Sequence, residues 1–196
     1  MNAASRQPRR ARPVTAPAPP EHPPRVAQIL AAARAVLTAE GSDALTMRRL
    51  AAELGIRAPS LYKHLPGKPA VTEGLVAIAL AELSAVLHDS VRRARRGREV
   101  AALLRAYRAW ALAEPNLYRM ASGGPVPRDA LPSGLLRWAA EPFHLVAGEP
   151  ALARALWSYA HGMIMWELDG RQPSGPELDA TWSAGAAAFQ AARRPT

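Results

Sequence analysis

From Arg25 onward the apolar residues of this chain recur every three or four positions and rarely alternate with polar ones, which leaves helix packing as its route to a core. The 43 alanines point the same way, because alanine is the strongest helix former and a poor strand former. Val26, Ile29, Leu30, Ala33, Val36 and Leu37 share one helical face, and Gly41 supplies a stop just past Glu40. A second helix is predicted from Met47 to Leu54, with Thr46 as its cap and Leu45 placed to pack on Leu50. After Gly55 a third, short helix spans 58–64; it tolerates Pro59 in its first turn and ends at Pro66-Gly67.

Two short helices joined through a glycine turn make a helix-turn-helix pattern. Leu50, Ala51, Leu54, Ile56 and Leu61 are expected to face inward. Arg57, Ala58, Ser60, Tyr62, Lys63 and His64 are then left outward on the third helix. Small residues there permit close approach to a major groove, and cationic ones reach phosphates and base edges. Charge agrees: residues 1–68 carry 11 basic and 4 acidic side chains, and the chain's only two lysines are Lys63 and Lys68. Residues 1–100 have a net charge of +8, against +1 for 101–196. A basic half followed by a near-neutral one suggests a polyanion-binding module joined to something else. A solubility charge in an arginine-rich composition is the plainer alternative.

Residues 26–72 closely resemble the DNA-binding domain of tetracycline-repressor-like (TetR family) transcription regulators. The resemblance is carried by Ala32-Ala33-Arg34-Ala35-Val36-Leu37, Gly41, Leu45-Thr46-Met47-Arg48-Arg49-Leu50-Ala51, Leu54-Gly55-Ile56, Pro59-Ser60-Leu61-Tyr62-Lys63-His64-Leu65 and Lys68. It implies a homodimer whose third helices enter the major groove of double-stranded DNA. Tyr62, His64 and Lys68 would then contact phosphates, together with Thr46. Arg48, Arg57, Ala58, Pro59 and Lys63 would be the residues nearest base edges. Leu65 stands where many relatives have Phe. Arg57 replaces a small polar residue, so the helix loses a side-chain cap and gains a possible guanine reader. The plainer roles are a Tyr62 half-buried against the first helix and a His64 that is an ordinary surface histidine.

The second half is predicted helical as well, at 69–95, 98–113, about 115–121, 134–147, 149–169 and 175–192. Pro115, Pro150 and Pro176 stand near three of the starts, and Ser174-Gly175-Pro176-Glu177 reads as a capping box. The helix at 149–169 is apolar all round, so it is expected to be buried all round. Ala184, Gly185, Ala186, Ala187 and Ala188 suit close helix contact, and two such helices from each subunit would form a four-helix interface. A monomeric core is the alternative. Trp157-Ser158-Tyr159-Ala160-His161-Gly162, followed by Glu167-Leu168, resembles the C-terminal domain of one family branch, named for a Trp, His, Gly (WHG) signature. In that branch the domain dimerises and is taken to bind a small effector. Trp110, Trp138, His144 and His161 are the expected effector contacts in an apolar pocket, and core packing is the sober alternative for any one of them.

The expected architecture is therefore all-α: an arm at 1–24, a three-helix helix-turn-helix domain at 25–70, and a helical ligand-binding and dimerisation bundle at 71–194. Seven prolines fall within residues 8–24, and with almost no large apolar side chain there the arm is expected to be disordered. Its arginines Arg6, Arg9, Arg10 and Arg12 would be solvated or would track the minor groove. The absence of cysteine excludes disulfides, thiolate metal sites and thiol nucleophiles. No HExxH, paired-carboxylate, GxGxxG or P-loop spacing is present, so no metal or cofactor is expected, and Glu167 and Asp169 read as surface or capping groups. No apolar h-region follows the first residues, and Glu82, His161 and Glu167 interrupt the longest apolar runs. A cytoplasmic protein without a spanning helix is expected. The function implied is a sequence-specific regulator, most readily a repressor released from a palindromic operator by a small, largely apolar effector. An effector-independent DNA binder and a helical enzyme are the rival classes.

Overall fold

A computed structural model of the protein describes residues 16–17, 22–124, 128–171 and 175–193. Most of the predicted arm, with its four arginines, lies outside the described residues. The elements are α1 (Pro24–Glu40), α2 (Met47–Glu53), α3 (Ala58–Tyr62), α4 (Lys68–Arg93), α5 (Glu99–Ala113), α6 (Pro115–Gly123), a 3₁₀ turn (Arg128–Ala130), α7 (Leu135–Ala147), α8 (Pro150–Leu168) and α9 (Pro176–Ala192). No strand occurs among the described residues. Pro115, Pro150 and Pro176 each open their helix, where the missing N–H costs no hydrogen bond. The N-cap of α9 is Gly175, with no side-chain cap bond; the predicted capping box turns on Ser174, which lies outside the described residues.

Three apolar clusters organise the chain. The first joins α1, α2 and α3 to the start of α4 through Ile29, Leu37, Leu45, Leu50, Leu61 and Leu75, and it also takes in Leu117 of α6. The second holds α5, α7, α8 and α9 together around Leu103, Tyr107, Phe143, Leu156, Ile164 and Trp182. A smaller third one sets Val76 and Ala77 of α4 against Leu131, Leu135 and Trp138. Trp110 packs against both large clusters.

The axis of the arrangement is α4, which touches α1, α5, α6 and α7. By length and composition alone this helix is apolar enough to cross a membrane, contrary to the expectation that Glu82 would interrupt it too soon. One carboxylate does not offset so many apolar neighbours, and here they are spent on the cores: Val71, Leu75, Val76, Ala79 and Leu87 are all buried.

Pro142 sits inside α7 and offers no N–H to the carbonyl of Trp138 one turn earlier. That carbonyl is met from outside the helix: the His88 Nε2–H of α4 donates to it at 3.0 Å, and the imidazole stacks on the Trp138 indole. Burial of α8 is less complete than its composition implied. Leu156, Ala160, Met163 and Ile164 are buried, but Trp157 and Trp166 keep 47% and 55% of their surface. Glu167 also departs from the surface role expected of it. Arg108 grips it with Nε at 2.9 Å and Nη2 at 2.7 Å, and the Trp182 indole N–H donates to it at 3.2 Å.

Candidate nucleic-acid interface and ligand cavity

At the head, Thr46 caps α2, its Oγ1 accepting from the Arg49 N–H at 3.1 Å. The turn into α3 passes through Gly55 at φ +63°, a conformation glycine adopts without strain, and closes with the Ile56 N–H donating to Ala51 O at 2.9 Å. Arg57 is the N-cap of α3 and makes no side-chain cap bond. Thr46, Arg48, Arg57, Pro59, Tyr62, Lys63, His64 and Lys68 are exposed, Tyr62 to 53%. Ala58 is not outward as expected. It is half-buried against the head's core because it stands three residues before the buried Leu61, on the same helical face. Ser60 is half-buried as well.

Pairing separates the cations. Arg49 is tied up: Nη2 and Nε hold Glu40 at 2.6 and 3.0 Å, and Nη1 holds Glu53 at 2.8 Å. The same hydrogen bonding keeps the Glu40 carboxyl below the usual carboxylate range. Arg48, Arg57 and Lys63 make no ion pair with a described residue. Lys68 donates to the Ser42 carbonyl at 3.2 Å, which parks its ammonium beside the loop that leads into α2.

A polar junction ties this head to the body. Arg34 of α1 reaches Glu82 of α4 with Nη1 at 2.5 Å and Nη2 at 2.9 Å, and Nη2 also reaches Glu114 at 2.8 Å. The Glu82 hydrogen bond does most to hold the guanidinium pKa above its ordinary value, although burial opposes it. In the first turn of α6, the Asn116 side-chain amide donates to Leu37 O at 3.0 Å, a second hydrogen bond to the carbonyl that also accepts from the Gly41 N–H at the end of α1.

Within the body lies an open cavity of about 570 Å³ between α4, α6, α7 and α8, lined among others by Leu80, Ala121, Leu136, Phe143, His144 and Trp157. A smaller chamber of about 110 Å³ shares Leu80, Ala121, Ala139 and Trp157 with it and continues inward to Tyr107, Trp110 and Tyr118. Of the four residues expected at an effector pocket, His144 lines the outer cavity and Trp110 the inner chamber. His161 stands behind the chamber wall, stacked on Trp157 with its ring centroid 5.4 Å away. Trp138 faces neither space and packs instead on His88.

Behind that wall runs a short relay. Tyr107 Oη lies 2.9 Å from Tyr118 Oη, which lies 2.7 Å from His161 Nδ1. Burial pushes the Tyr118 phenol up to about 12 and lowers the imidazole of His161. Burial thus favours protonated phenols and an uncharged ring along this chain of hydrogen bonds.

Two surfaces remain. Along α8, Ala151, Ala155, Ser158, Gly162 and Trp166 are exposed, and beside them on α9 so are Ala180, Ala184, Ala187, Ala188 and Ala191. The two helices sit so close that a Cβ on Gly185 would collide with the Tyr159 hydroxyl. Far from the head, Arg93, Arg95, Arg98 and Arg105 line an open basic groove at the α4–α5 turn.

Sequence reasoning passed over Arg137 and Arg154, which line the outer cavity, and Arg34, Glu114 and Asn116, which form the junction. The small pair Ala139-Ala140 was the one local hint of space on α7.

Comparison with known proteins adds the lineage. Residues 29–74 match the family model described as bacterial regulatory proteins, tetR family, and residues 100–189 match the tetracyclin repressor-like C-terminal domain. The HTH-type transcriptional regulator Rv0681 of Mycobacterium tuberculosis is 30% identical over 154 residues, 72% of this chain and 69% of its own length. Among solved structures, a protein from Rhodococcus sp. RHA1 superimposes with a TM-score of 0.72 at 24% identity, covering 90% of this chain and 99% of that one. The Streptomyces coelicolor TetR family protein ActR, solved in complex with (S)-DNPA, gives 0.59 at 22% identity over 85% and 95%. These two share the fold. Head, body and relatives agree: the chain belongs to the TetR family and is a DNA-binding transcriptional regulator.

Proposed function

We propose that the protein is a repressor that binds a palindromic operator as a homodimer and leaves it when a small molecule fills the body cavity. The observation that carries this reading is the sorting of cations on the head. Arg48, Arg57 and Lys63 are exposed and unpaired among the described residues beside Tyr62 and His64, while their neighbour Arg49 is consumed by Glu40 and Glu53. Arg57 and Arg48 read base edges; Thr46, Tyr62, His64 and Lys68 hold phosphates; Ala58 and Pro59 permit the close approach. The exposed small-residue faces of α8 and α9, flanked by Trp166, support a two-fold four-helix interface. Such a dimer would set two α3 helices one DNA turn apart, roughly 34–36 Å, on chromosomal DNA in the cytoplasm.

The release mechanism runs through α6. A ligand in the cavity presses on Ala121 and, through the inner chamber, on Trp110. Movement of α6 carries Asn116 and the neighbouring Glu114, which hold the end and the middle of α1. A hundredfold loss of operator affinity needs about 2.7 kcal/mol of differential binding, within reach of one filled apolar cavity.

Selection of bound sequences from random DNA tests this reading. An enriched palindrome is expected, with Arg57→Ala relaxing its base preference and Lys68→Ala weakening all sequences alike while lowering the salt slope by about one. Binding with steep salt dependence and no enriched site would overturn it in favour of a sequence-indifferent DNA binder. A monomer in sedimentation at micromolar concentration would overturn the dimer.

A further inference from the structure

The body cavity carries a charge pattern that its apolar walls do not require. Arg137 of α7 and Arg154 of α8 line it from two different helices, and both are exposed at its mouth. Neither makes an ion pair with a described residue. His144 also lines this cavity and is exposed. Among the described residues, no aspartate or glutamate lines either the outer cavity or the inner chamber. Glu141, one turn along α7 from Arg137, is directed to His88 of α4 instead, at 3.8 Å. The deeper walls are Val76, Leu80, Ala153 and Phe143, with Trp157 beside them.

From this we infer that the cavity takes an amphipathic organic anion, an apolar aromatic or long aliphatic body carrying one carboxylate or a group of like charge. The inference rests on the reading of the cavity as the effector site. Arginine stays charged at any physiological pH, and its planar fork matches a carboxylate with two parallel hydrogen bonds. An anion at the rim therefore gains contacts that a neutral ligand of the same shape lacks. A cation is repelled twice, with no acidic residue among the described lining to compensate. The apolar depth fixes where the rest of the ligand goes, and the volume of about 570 Å³ falls in the ordinary range for small-molecule sites. Selectivity would come from the rim and affinity from the walls.

Two dyes with the same carbon frame separate these contributions: 8-anilinonaphthalene-1-sulfonate, an anion, and N-phenyl-1-naphthylamine, which is neutral. Both are titrated against the full-length protein by fluorescence, after circular dichroism has verified the fold of each variant. The anionic dye is expected to bind at least about tenfold more tightly than the neutral one. The double substitution Arg137→Gln/Arg154→Gln should cost the anionic dye about tenfold or more and leave the neutral dye unchanged. Arg95→Gln/Arg98→Gln, in the separate basic groove, should change neither. Ala139→Phe, on the wall shared by the two chambers, should weaken both dyes; Leu136→Trp at the mouth serves the same purpose if that variant does not fold. Equal affinities for the two dyes, or an anionic dye indifferent to the Arg137 and Arg154 changes, overturn the anion preference while the cavity reading stands. Dyes that bind undisturbed by both blocking variants sit elsewhere, and the cavity reading then falls with the inference.

Discussion

Replacing Arg34 by methionine keeps the length of the side-chain stem and removes the charge that joins α1 to α4 and α6. Arg34 serves two carboxylates at once, and the side chains of Arg34, Glu82 and Glu114 retain 30%, 38% and 24% of their surface. An exposed ion pair contributes roughly 0.2–1 kcal/mol, and breaking a fully buried one costs about 3–5 kcal/mol. The intermediate exposure calls for a discount from the buried figure, whereas the forked contact and the two carboxylates left facing each other argue against the surface one. A loss of about 2 kcal/mol follows, about 30-fold in the ratio of folded to unfolded protein. Urea unfolding should show a lower midpoint with an unchanged slope, since the surface exposed on unfolding is the same. The deficit should shrink as salt rises, because these partly exposed charges are screened. A cycle of Arg34→Met, Glu114→Gln and the double variant should yield a coupling of about 1 kcal/mol. A midpoint shift worth less than about 0.5 kcal/mol, together with a coupling indistinguishable from zero, would refute the claim that the junction holds the head to the body.

Three further perturbations have defined outcomes. His88→Leu should orphan the Trp138 carbonyl and cost about 1–3 kcal/mol, and adding Pro142→Ala should recover part of the loss by restoring an in-helix N–H; equal stabilities of the single and double variants would disprove this account of the carbonyl. Burial disfavours the charged His161 ring in the native state. The unfolded chain therefore binds the proton more readily, and the stabilisation is complete above about pH 6.5 and lost as pH falls through the lower native pKa. Urea unfolding of His161→Asn should lose this part of the acid sensitivity; an identical pH profile in the variant would count against it. Gly185→Ala should displace the Tyr159 ring and break its 2.9 Å bond to the Thr181 carbonyl, destabilising the chain by about 1–3 kcal/mol. An unchanged unfolding midpoint would mean the α8–α9 contact is looser than it looks.

The head was largely legible because its determinants are local. A threonine cap, a glycine turn and a five-residue helix are each written within a few positions, and the outward residues follow from the period. Ala58 was misjudged where that period was not applied strictly. Further along, composition said that α8 must hide its apolar surface but not behind what, so Trp157 and Trp166, exposed in the single chain, were assigned to the interior. Arg137 and Arg154 become neighbours of one cavity only when α7 and α8 lie side by side. Arg34 and Glu114 meet across 80 positions of sequence, and no periodicity reports such a meeting. Trp138 and His161 showed the opposite limit, since residue type alone does not say which side of a helix faces an empty space.

The cluster beneath the helix-turn-helix also draws on Leu117, which is 1% exposed, and on Trp110, Met120 and Ala121 at its edge. A chimeric regulator made by grafting residues 1–70 onto a foreign effector domain would inherit a socket with no plug. It would need a compatible leucine at the position of Leu117, an amide to replace Asn116 and a carboxylate to replace Glu114. Specificity swaps in such proteins should therefore move the first turn of α6 together with the head, although nearly fifty residues of chain separate them.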